Sequence, residues 1–461
     1  MKTNLVALIL ILSVGTGFAE RNKTLEKRTT VTPKQKIEIN GFSGSKVTFR
    51  SWSNNEVYIN LTVYISSSDK DYEREYVENV KISEIPSGGI IRFQLDEPKE
   101  RGTGSIWNIF KRFYMEKEIS GEIYIPQSNP LSTDMRYGSL TLENMRGDLQ
   151  LLGTSNTLKL INCASVLEVE NNYGKTWITN SGGSLRLTGT SSTVNVKDFN
   201  GSLTIDADYS TVVLDRIQQS VSINDKSGKI SLDNIHGEVT LDADYSTITM
   251  NVIEGFANVR STSGSLSARQ VDAIQVDAKY TNVDISKVRG IAGKPLIVKG
   301  QSGKVLLQDI TSDVQIDNPY SPITLSRIKG NIDIMTTSST ISAEEITGDW
   351  NCRSQYTGID VRGLIAKKIA VTNSSNTIDF VLRSVPASID IKNQYGSVKI
   401  RMPAGFSGDV DMNAEYGNIS TTLPVKTKTM SSSAYAMGKV SSGSGSITIE
   451  TKSGNILLEE R

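Results

Sequence analysis

Apolar and polar residues alternate along most of this chain in short runs, the pattern of half-buried β-strands. One stretch nearly copies itself, because residues 201–214 (GSLTIDADYSTVVL) return 36 positions later as residues 237–250 (GEVTLDADYSTITM). The tyrosine in this unit, followed by a small or polar residue and an alternating apolar run, recurs at Tyr137, Tyr173, Tyr209, Tyr245, Tyr280, Tyr320, Tyr356, Tyr395 and Tyr416. A fixed period of this kind indicates a repeat architecture.

A weaker copy of the unit lies midway between the tyrosines, with serine in the tyrosine position. Examples begin at Ser155, Ser191, Ser227 and Ser263. The basic unit is therefore about 18 residues, doubled to 36. The pattern leaves open whether one coil contains 18 residues, so that Tyr and Ser alternate, or 36, so that tyrosines stack in every coil.

A single unit has only two inward apolar side chains and cannot bury them alone. Stacking units in register buries a continuous column of Leu, Ile and Val and pairs each backbone with the coils above and below. No part of the repeat shows a sustained 3.6-residue period. The sequence therefore predicts an all-β protein, with a parallel β-solenoid over residues 131–461.

Residues 20–130 predict an N-terminal β region with a less regular pattern. Strand-like alternation occurs at 36–39, 46–49 and 57–65, and residues 41–49 already resemble the later repeat units. The pattern breaks at 66–118, which we interpret as a cap or insertion.

Within that insertion, residues 106–115 place apolar side chains at 106, 109, 110 and 113, on one helical face. Ile106, Trp107, Phe110 and Phe113 are candidate contacts of a plug that covers the apolar end of the solenoid, which we favour. The alternative is a basic amphipathic helix that contacts a membrane surface or a partner through residues 104–115.

Residues 1–19 resemble a secretory leader, with Lys2 before an apolar run and small residues ahead of Glu20. We therefore expect an exported chain.

Cys163 and Cys352 are many repeats apart, each coil advances about 4.8 Å, and a disulfide needs Cα atoms within about 7 Å. We predict two buried free thiols.

The formal net charge is zero, so nothing in the charge favours a nucleic-acid partner. The chain has one histidine, His236, and we interpret it as a turn residue because a catalytic triad or a His-rich metal site needs partner residues that the chain does not offer.

Acidic pairs at Asp206/Asp208 and Asp242/Asp244 suggest a calcium ladder, but Lys279 interrupts it, and we favour solvated turns. The Ser-Gly-Lys units at 227–229 and 302–304 lack the context of a phosphate loop. We predict no catalytic residues, metal or cofactor.

The tyrosines are the most specific signal in the chain. An exposed row of aromatic residues could stack on sugar rings or form an adhesive face. The structural alternative, which we favour from sequence, has each tyrosine packing on its neighbours at a corner and hydrogen bonding through its hydroxyl.

The segment at residues 37–47 (IEINGFSGSKV), the approach at 123–126 (IYIP) and the many Ser/Tyr-Gly-x-apolar-x-apolar units together resemble the bacterial DUF4097 proteins, also called putative adhesins or toastrack domains. The resemblance covers nearly all of the mature chain and contains no catalytic motif. It implies a right-handed parallel β-solenoid in the cell envelope, and some relatives are linked to sensing envelope stress. The 66–118 insertion departs from the pattern.

We therefore expect a non-enzymatic, exported protein of the periplasm or cell surface that binds an envelope polysaccharide or protein. A periplasmic partner in envelope-stress sensing is the alternative. A carbohydrate-active enzyme is a third class, but no carboxylate pair is singled out for it.

Overall fold

The computed structural model describes residues 22–98 and 115–461. The N-terminal part contains β1 (Asn22–Thr30), β2 (Lys36–Asn40), β3 (Lys46–Trp52), β4 (Glu56–Ser67), α1 (Lys70–Asn79), β5 (Lys81–Ser87), β6 (Ile90–Asp96) and β7 (Met115–Pro126). The candidate cap residues Ile106, Trp107, Phe110 and Phe113 lie outside the described residues, so the contact predicted through 104–115 stays a prediction.

The repeat part contains β8 (Leu131–Arg136), β9 (Ser139–Glu143), β10 (Leu149–Thr154), β11 (Thr157–Ile161), β12 (Ala164–Asn172), β13 (Lys175–Thr188), β14 (Thr193–Asp206), β15 (Thr211–Ile217), β16 (Val221–Asp225), β17 (Lys229–Ile235), β18 (Val239–Ala243), β19 (Ser246–Val288), β20 (Leu296–Gly300), β21 (Val305–Ile310), β22 (Val314–Asp317), β23 (Ile323–Lys329), β24 (Ile332–Met335), β25 (Thr340–Thr347), β26 (Trp350–Arg353), β27 (Gly358–Leu364), β28 (Lys368–Ser375), β29 (Ile378–Leu382), β30 (Ser388–Tyr395), β31 (Val398–Met402), β32 (Gly408–Tyr416), β33 (Ile419–Thr421), β34 (Lys426–Thr429), β35 (Ala434–Val440), β36 (Gly445–Ser453) and β37 (Ile456–Glu460). The longest of these runs, β19, continues through several corners without a break.

The strands pair in parallel between successive coils, and their register shows that one regular coil contains 18 residues. On one face Leu131 pairs with Leu149, and Leu149 with Leu167. On the other face Thr157 pairs with both Ser139 and Lys175. The predicted parallel β-solenoid is confirmed, and the 36-residue period arises because tyrosine and serine alternate between coils.

The core is a set of apolar columns that run along the solenoid axis. In one coil Leu149 and Leu151 point inward from the first face and Leu158 and Leu160 from the second, each at most 4% exposed. Burying such a side chain contributes about 1.5–3 kcal/mol, but only when another coil covers it. The columns form one continuous cluster from Leu25 to Leu458.

Both cysteines are buried in these columns and neither forms a disulfide, as predicted. Cys352 pairs with Ile334 and Val371 in the coils before and after it. Burial raises the pKa of the Cys352 thiol to about 12 and also raises the pKa of Cys163. Both groups are therefore protonated, unreactive core residues near neutral pH.

The N-terminal part is built onto the same solenoid. β2 pairs in parallel with β6 and β8, and β3 with β7 and β9. The coil made of β2 and β3 therefore lies between the β6/β7 coil and the β8/β9 coil, although β6 and β7 follow it in sequence. The resemblance of residues 41–49 to the repeat units is confirmed as a structural one.

Antiparallel strands and one helix complete the N-terminal end. β4 pairs with β7, β1 with β4, and β5 with β6. The helix α1 begins after Asp69, whose side chain accepts hydrogen bonds from the amides of Asp71 and Tyr72, and it buries Tyr72 and Tyr76. This helix was not predicted from the sequence, because two aromatic residues among many charged ones give a weak helical pattern.

At the C-terminal end the order of coils in space differs from their order in sequence. β36 pairs in parallel with both β30 and β32, and β37 with both β31 and β33. The C-terminal coil therefore lies between two coils that precede it. The units beginning at Ser444 and Ser453 belong to the solenoid, but they do not lie at its end. The connection at 403–407 skips one coil position, and the C-terminal coil fills it.

The end of the chain also secures that connection. The Glu460 carboxylate accepts hydrogen bonds from the backbone amides of Gly405 (3.0 Å) and Phe406 (2.8 Å). Beyond β32, the hairpin of β34 and β35 pairs in antiparallel fashion and covers the last coil. All four residues of β34 are exposed, and Lys426 and Lys428 lie among them. Exposed lysines on an edge strand oppose pairing with another chain.

A chain that ends after Ser444 should lose the whole C-terminal end of the solenoid, because β30 and β32 would both lack the strand between them. We expect limited proteolysis followed by intact-mass measurement to show trimming back to about residue 403, whereas the full chain resists cleavage there. Continued protection of residues 408–440 in the truncated chain would contradict this topology.

Candidate binding surface: the tyrosine row

One corner of each coil lies between the strands of the two faces, and it is occupied alternately by tyrosine and serine. We call its nine tyrosines the tyrosine row. Registers and backbone hydrogen bonds between neighbouring coils place the corner residues in this spatial order: Tyr137, Ser155, Tyr173, Ser191, Tyr209, Ser227, Tyr245, Ser263, Tyr280, Ser302, Tyr320, Ser338, Tyr356, Ser375, Tyr395, Ser453, Tyr416. Between Tyr137 and Tyr416 the alternation has no exception.

The last three positions show that the alternation belongs to the surface and is not only a trace of sequence duplication. Tyr395 and Tyr416 are 21 residues apart in sequence, which breaks the 36-residue period. In space Ser453 lies between them, because it pairs with Tyr395 on one side and Tyr416 on the other. The tyrosines thus remain two coils apart where chain order is rearranged.

The side chains of the tyrosine row point into solvent. Each tyrosine is between 54% and 72% exposed. Within the described ranges, none of the nine rings stacks on another aromatic ring and none of the nine hydroxyls forms a hydrogen bond. The hydroxyl hydrogen bonds that we expected from sequence are therefore not formed, while packing of the rings on other neighbouring side chains stays a prediction. The rings are two strand spacings apart, about 9.6 Å, too far for direct stacking.

The backbone of the tyrosine row has two different conformations. Tyr137, Tyr173, Tyr209 and Tyr245 have φ between 51° and 59°, the left-handed region, which is unfavourable for a bulky residue and favours Gly or Asn. The other five tyrosines have no positive φ. Tyrosine therefore occupies this corner in two different backbone conformations, so the conformation of the turn does not explain why tyrosine is found there.

Buried polar side chains beneath the corner hold its backbone in place. The Asn156 side chain donates to the Met135 carbonyl (2.7 Å) and accepts from the Gly138 amide (2.9 Å). The Asn393 side chain donates to the carbonyls of Asn376 and Gly396, both at 2.9 Å. Such bonds satisfy buried backbone groups that the turn leaves without a ladder partner. These hydrogen bonds therefore fix the backbone that carries the tyrosine row.

The Ser-Gly units of the repeat are part of the same corner. A Cβ on Gly303 would lie 2.1 Å from the Thr281 carbonyl oxygen of the preceding coil, and Gly303 has φ +157°. Only glycine allows this close approach of two backbones. The Ser-Gly-Lys sequences at 227–229 and 302–304 are therefore corner turns.

The residues that immediately precede the corner positions form a polar border along the row. Four are basic and three are acidic: Arg136, Lys226, Lys279 and Lys452, against Asp208, Asp244 and Glu415. Nine others are uncharged hydrogen-bonding residues: Thr154, Asn172, Thr190, Thr262, Gln301, Thr337, Gln355, Ser374 and Gln394. The border is nearly neutral and rich in hydroxyl and amide groups.

The acidic pairs noted in the sequence are divided among different contacts. Asp208 Oδ2 is 2.7 Å from Lys226 Nζ, and Asp242 Oδ2 is 3.2 Å from Arg260 Nη1. Nowhere in residues 22–98 and 115–461 do three or more His, Cys, Asp or Glu residues converge as a metal site would require. Asp208 and Asp242 therefore face cations in adjacent coils, whereas Asp206 and Asp244 accept hydrogen bonds from Asn224 and Thr262.

His236 lies in a turn at the surface. Its Nδ1 is 2.6 Å from Glu254 Oε2, one coil further along the chain, and both side chains are exposed. The contact joins neighbouring coils and places no nucleophile beside the imidazole, so it does not form the arrangement that a catalytic triad needs.

Asp225 is a buried carboxylic acid beneath the corner, 1% exposed, with Ala207 and Ala243 at the same position in adjacent coils. Burial raises the pKa of Asp225, and the hydrogen bond from the Ser246 hydroxyl (2.8 Å) opposes that rise. A raised pKa in the folded state means that this group stabilises the fold most when protonated, and that the contribution is lost as pH rises through the folded pKa.

The family model for "Toastrack DUF4097" matches residues 168–459. The chain belongs to this toastrack family. No curated protein matches it. Among solved structures, it is similar to a putative cell adhesion protein from Clostridium sporogenes ATCC 15579, with 9% identity, a TM-score of 0.15 and coverage of 95% of this chain and 100% of that chain. It is also similar to a putative adhesin from Bacteroides fragilis NCTC 9343, with 14% identity, a TM-score of 0.16 and coverage of 76% and 96%.

Within residues 22–98 and 115–461 of this toastrack chain, no helix has the length and the apolar composition that crossing a membrane requires.

Replacing Tyr209 with Asn should leave thermal stability unchanged or slightly raised, because Asn tolerates the left-handed conformation and the ring has little packing to lose. We expect a change within about 0.5 kcal/mol, as for other surface substitutions. Phe199→Ala, which empties a buried position near the same coil, should cost about 3–5 kcal/mol. Thermal unfolding followed by circular dichroism compares the two. A large loss of thermal stability in Tyr209→Asn would instead support the structural role of the tyrosine that we favoured from sequence.

Asp225→Asn should raise the melting temperature at pH 8, because the amide stays neutral where the buried carboxyl must ionise. The difference from the original chain should shrink toward pH 4, because the raised pKa keeps a growing fraction of Asp225 protonated as the pH falls. Melting curves of both chains across this pH range measure the difference directly. If Asp225→Asn lowers the melting temperature equally at pH 4 and pH 8, the hydrogen bond between Ser246 and Asp225 outweighs the cost of burying the charged carboxylate.

Proposed function

We propose that this chain is a non-enzymatic protein exported to the bacterial cell envelope, and that the tyrosine row is its binding surface. The observation that carries the proposal is the row itself: nine exposed aromatic side chains at regular intervals, with neither a stacked aromatic ring nor a hydroxyl hydrogen bond in the described residues. Aromatic residues with an apolar ring and a polar tip are favoured at binding surfaces. The leader predicted from sequence for residues 1–19 supports export.

A rigid solenoid suits binding through many weak contacts. Each tyrosine is held by the coil stack, so little conformational freedom of the backbone is lost when a partner binds. Nine equivalent contacts on one partner act together, and their combined strength exceeds that of any one contact. This mechanism needs no deep pocket and no reactive group.

The location has a direct test. Proteases are added to intact cells, and the mature chain is then detected in whole cells and in fractions. Loss of the chain from intact cells would support display at the cell surface, and protection until the outer membrane is opened would support a periplasmic scaffold or sensing partner. Recovery of the chain with its leader in the cytoplasm would contradict export.

The role of the row is tested by binding of the purified chain to isolated cell-envelope material. The variant Tyr137→Ser, Tyr173→Ser, Tyr209→Ser and Tyr245→Ser, which gives these corners the residue of the neighbouring coils, should bind at least tenfold more weakly. A matched control changes Asn144, Asn162, Asn180 and Asn234 to Ser, because these residues share the left-handed backbone at the other corner. Equal binding by both variants would contradict the proposal, and release of sugars by the original chain would favour an enzyme.

A further inference from the structure

We propose that the tyrosine row binds an extended, uncharged, β-1,4-linked polysaccharide, with one two-sugar repeat of the polymer for each tyrosine. This inference rests on the proposed function, and it names the chemical class of the partner. It depends on three properties of the row, which are its period, its border and its length.

The period argues for a partner that is itself periodic. Tyrosines recur every second coil, about 9.6 Å apart, and this interval is kept where Ser453 is inserted between Tyr395 and Tyr416. It is also kept across the longer connection between Tyr280 and Ser302. An irregular protein surface gains nothing from such regularity over many coils. A polymer with a matching repeat can make the same contact at every tyrosine.

The chemistry of β-1,4-linked glycans provides such a repeat. In an extended chain each sugar is flipped relative to the sugar before it, so every second ring presents the same face. The distance between two such rings is close to two strand spacings. The apolar CH face of a pyranose stacks on an aromatic ring, and its equatorial hydroxyls remain at the edge. Tyrosine offers a ring for the first contact and a hydroxyl for the second.

The border of the row distinguishes this partner from other polymers. Nucleic acids require a stripe of positive charge, but the border has three acidic residues against four basic ones, and Asp208 is directly paired with Lys226. A membrane surface requires a continuous apolar face, whereas serine separates every two tyrosines. Hydroxyl and amide side chains such as Thr190, Gln355 and Gln394 match the hydroxyls of a neutral sugar chain.

The length of the row predicts how affinity depends on the length of the ligand. From Tyr137 to Tyr416 the row extends over roughly 75 Å. A disaccharide can contact one tyrosine, whereas a longer chain contacts several, so affinity should rise steeply with the number of sugars. The rise should end when the ligand reaches the length of the row.

The test measures binding of the purified full chain to cello-oligosaccharides and chito-oligosaccharides of two to eight sugars by calorimetry, and to insoluble cellulose and chitin by co-sedimentation. We expect at least a tenfold gain in affinity between two and eight sugars. The four-fold Tyr→Ser variant should lose at least tenfold, and the four-fold Asn→Ser control should bind like the original chain. Soluble starch, an α-1,4-linked glucan that coils, and double-stranded DNA serve as comparison polymers.

Several results would overturn the inference. They are absence of binding to both β-1,4-linked series, equal binding to starch or DNA, and full binding by the Tyr→Ser variant. If cell-envelope material still binds in a tyrosine-dependent manner while the defined glycans do not, the binding surface stands and the glycan assignment fails. If that envelope binding is removed by digesting the material with protease, the partner is a protein and the inference is wrong.

Discussion

Every feature of this molecule depends on in-register stacking of 18-residue coils. Parallel backbone hydrogen bonds join position i to position i+18, as at Leu149 and Leu167, and the same step aligns inward side chains into columns. No coil is stable alone, because its four or so inward aliphatic groups are covered only by its neighbours. Stability is therefore shared along the axis, and any change that shifts one register by a residue would turn apolar side chains to solvent.

The stacking also turns a sequence period into a surface period. A residue at a given corner of each coil is repeated every strand spacing, so identical tyrosines would form a continuous aromatic ladder. Alternation with serine doubles the interval and leaves each ring exposed. The left-handed φ at Tyr137, Tyr173, Tyr209 and Tyr245 places tyrosine at positions where Asn or Gly would fit the backbone better. Strained positions of this kind are often associated with function.

The two ends of the solenoid solve a different physical problem. An open stack presents a row of unpaired backbone groups and an uncovered core, both of which favour aggregation. Here the N-terminal end is completed by antiparallel β4 and β1 with the helix α1, and the C-terminal end by the β34/β35 hairpin. The C-terminal coil is inserted between two earlier ones, so the chain end is held by pairing on both sides.

The repeat, the all-β class, the two buried thiols and the identity of the row residues followed from sequence alone. They depend on periods and residue types, which are local properties and are repeated many times. The tertiary structure decided the rest. Whether a coil is 18 or 36 residues depends on which strands pair, and the unit at Ser453 resembles any other unit, so its place between Tyr395 and Tyr416 follows from the connections at 403–407 and 422–444. The exposure of the tyrosine rings was likewise beyond the sequence, because a corner residue can pack on its neighbours or face water, and only the two-coil spacing of the folded chain decides between them.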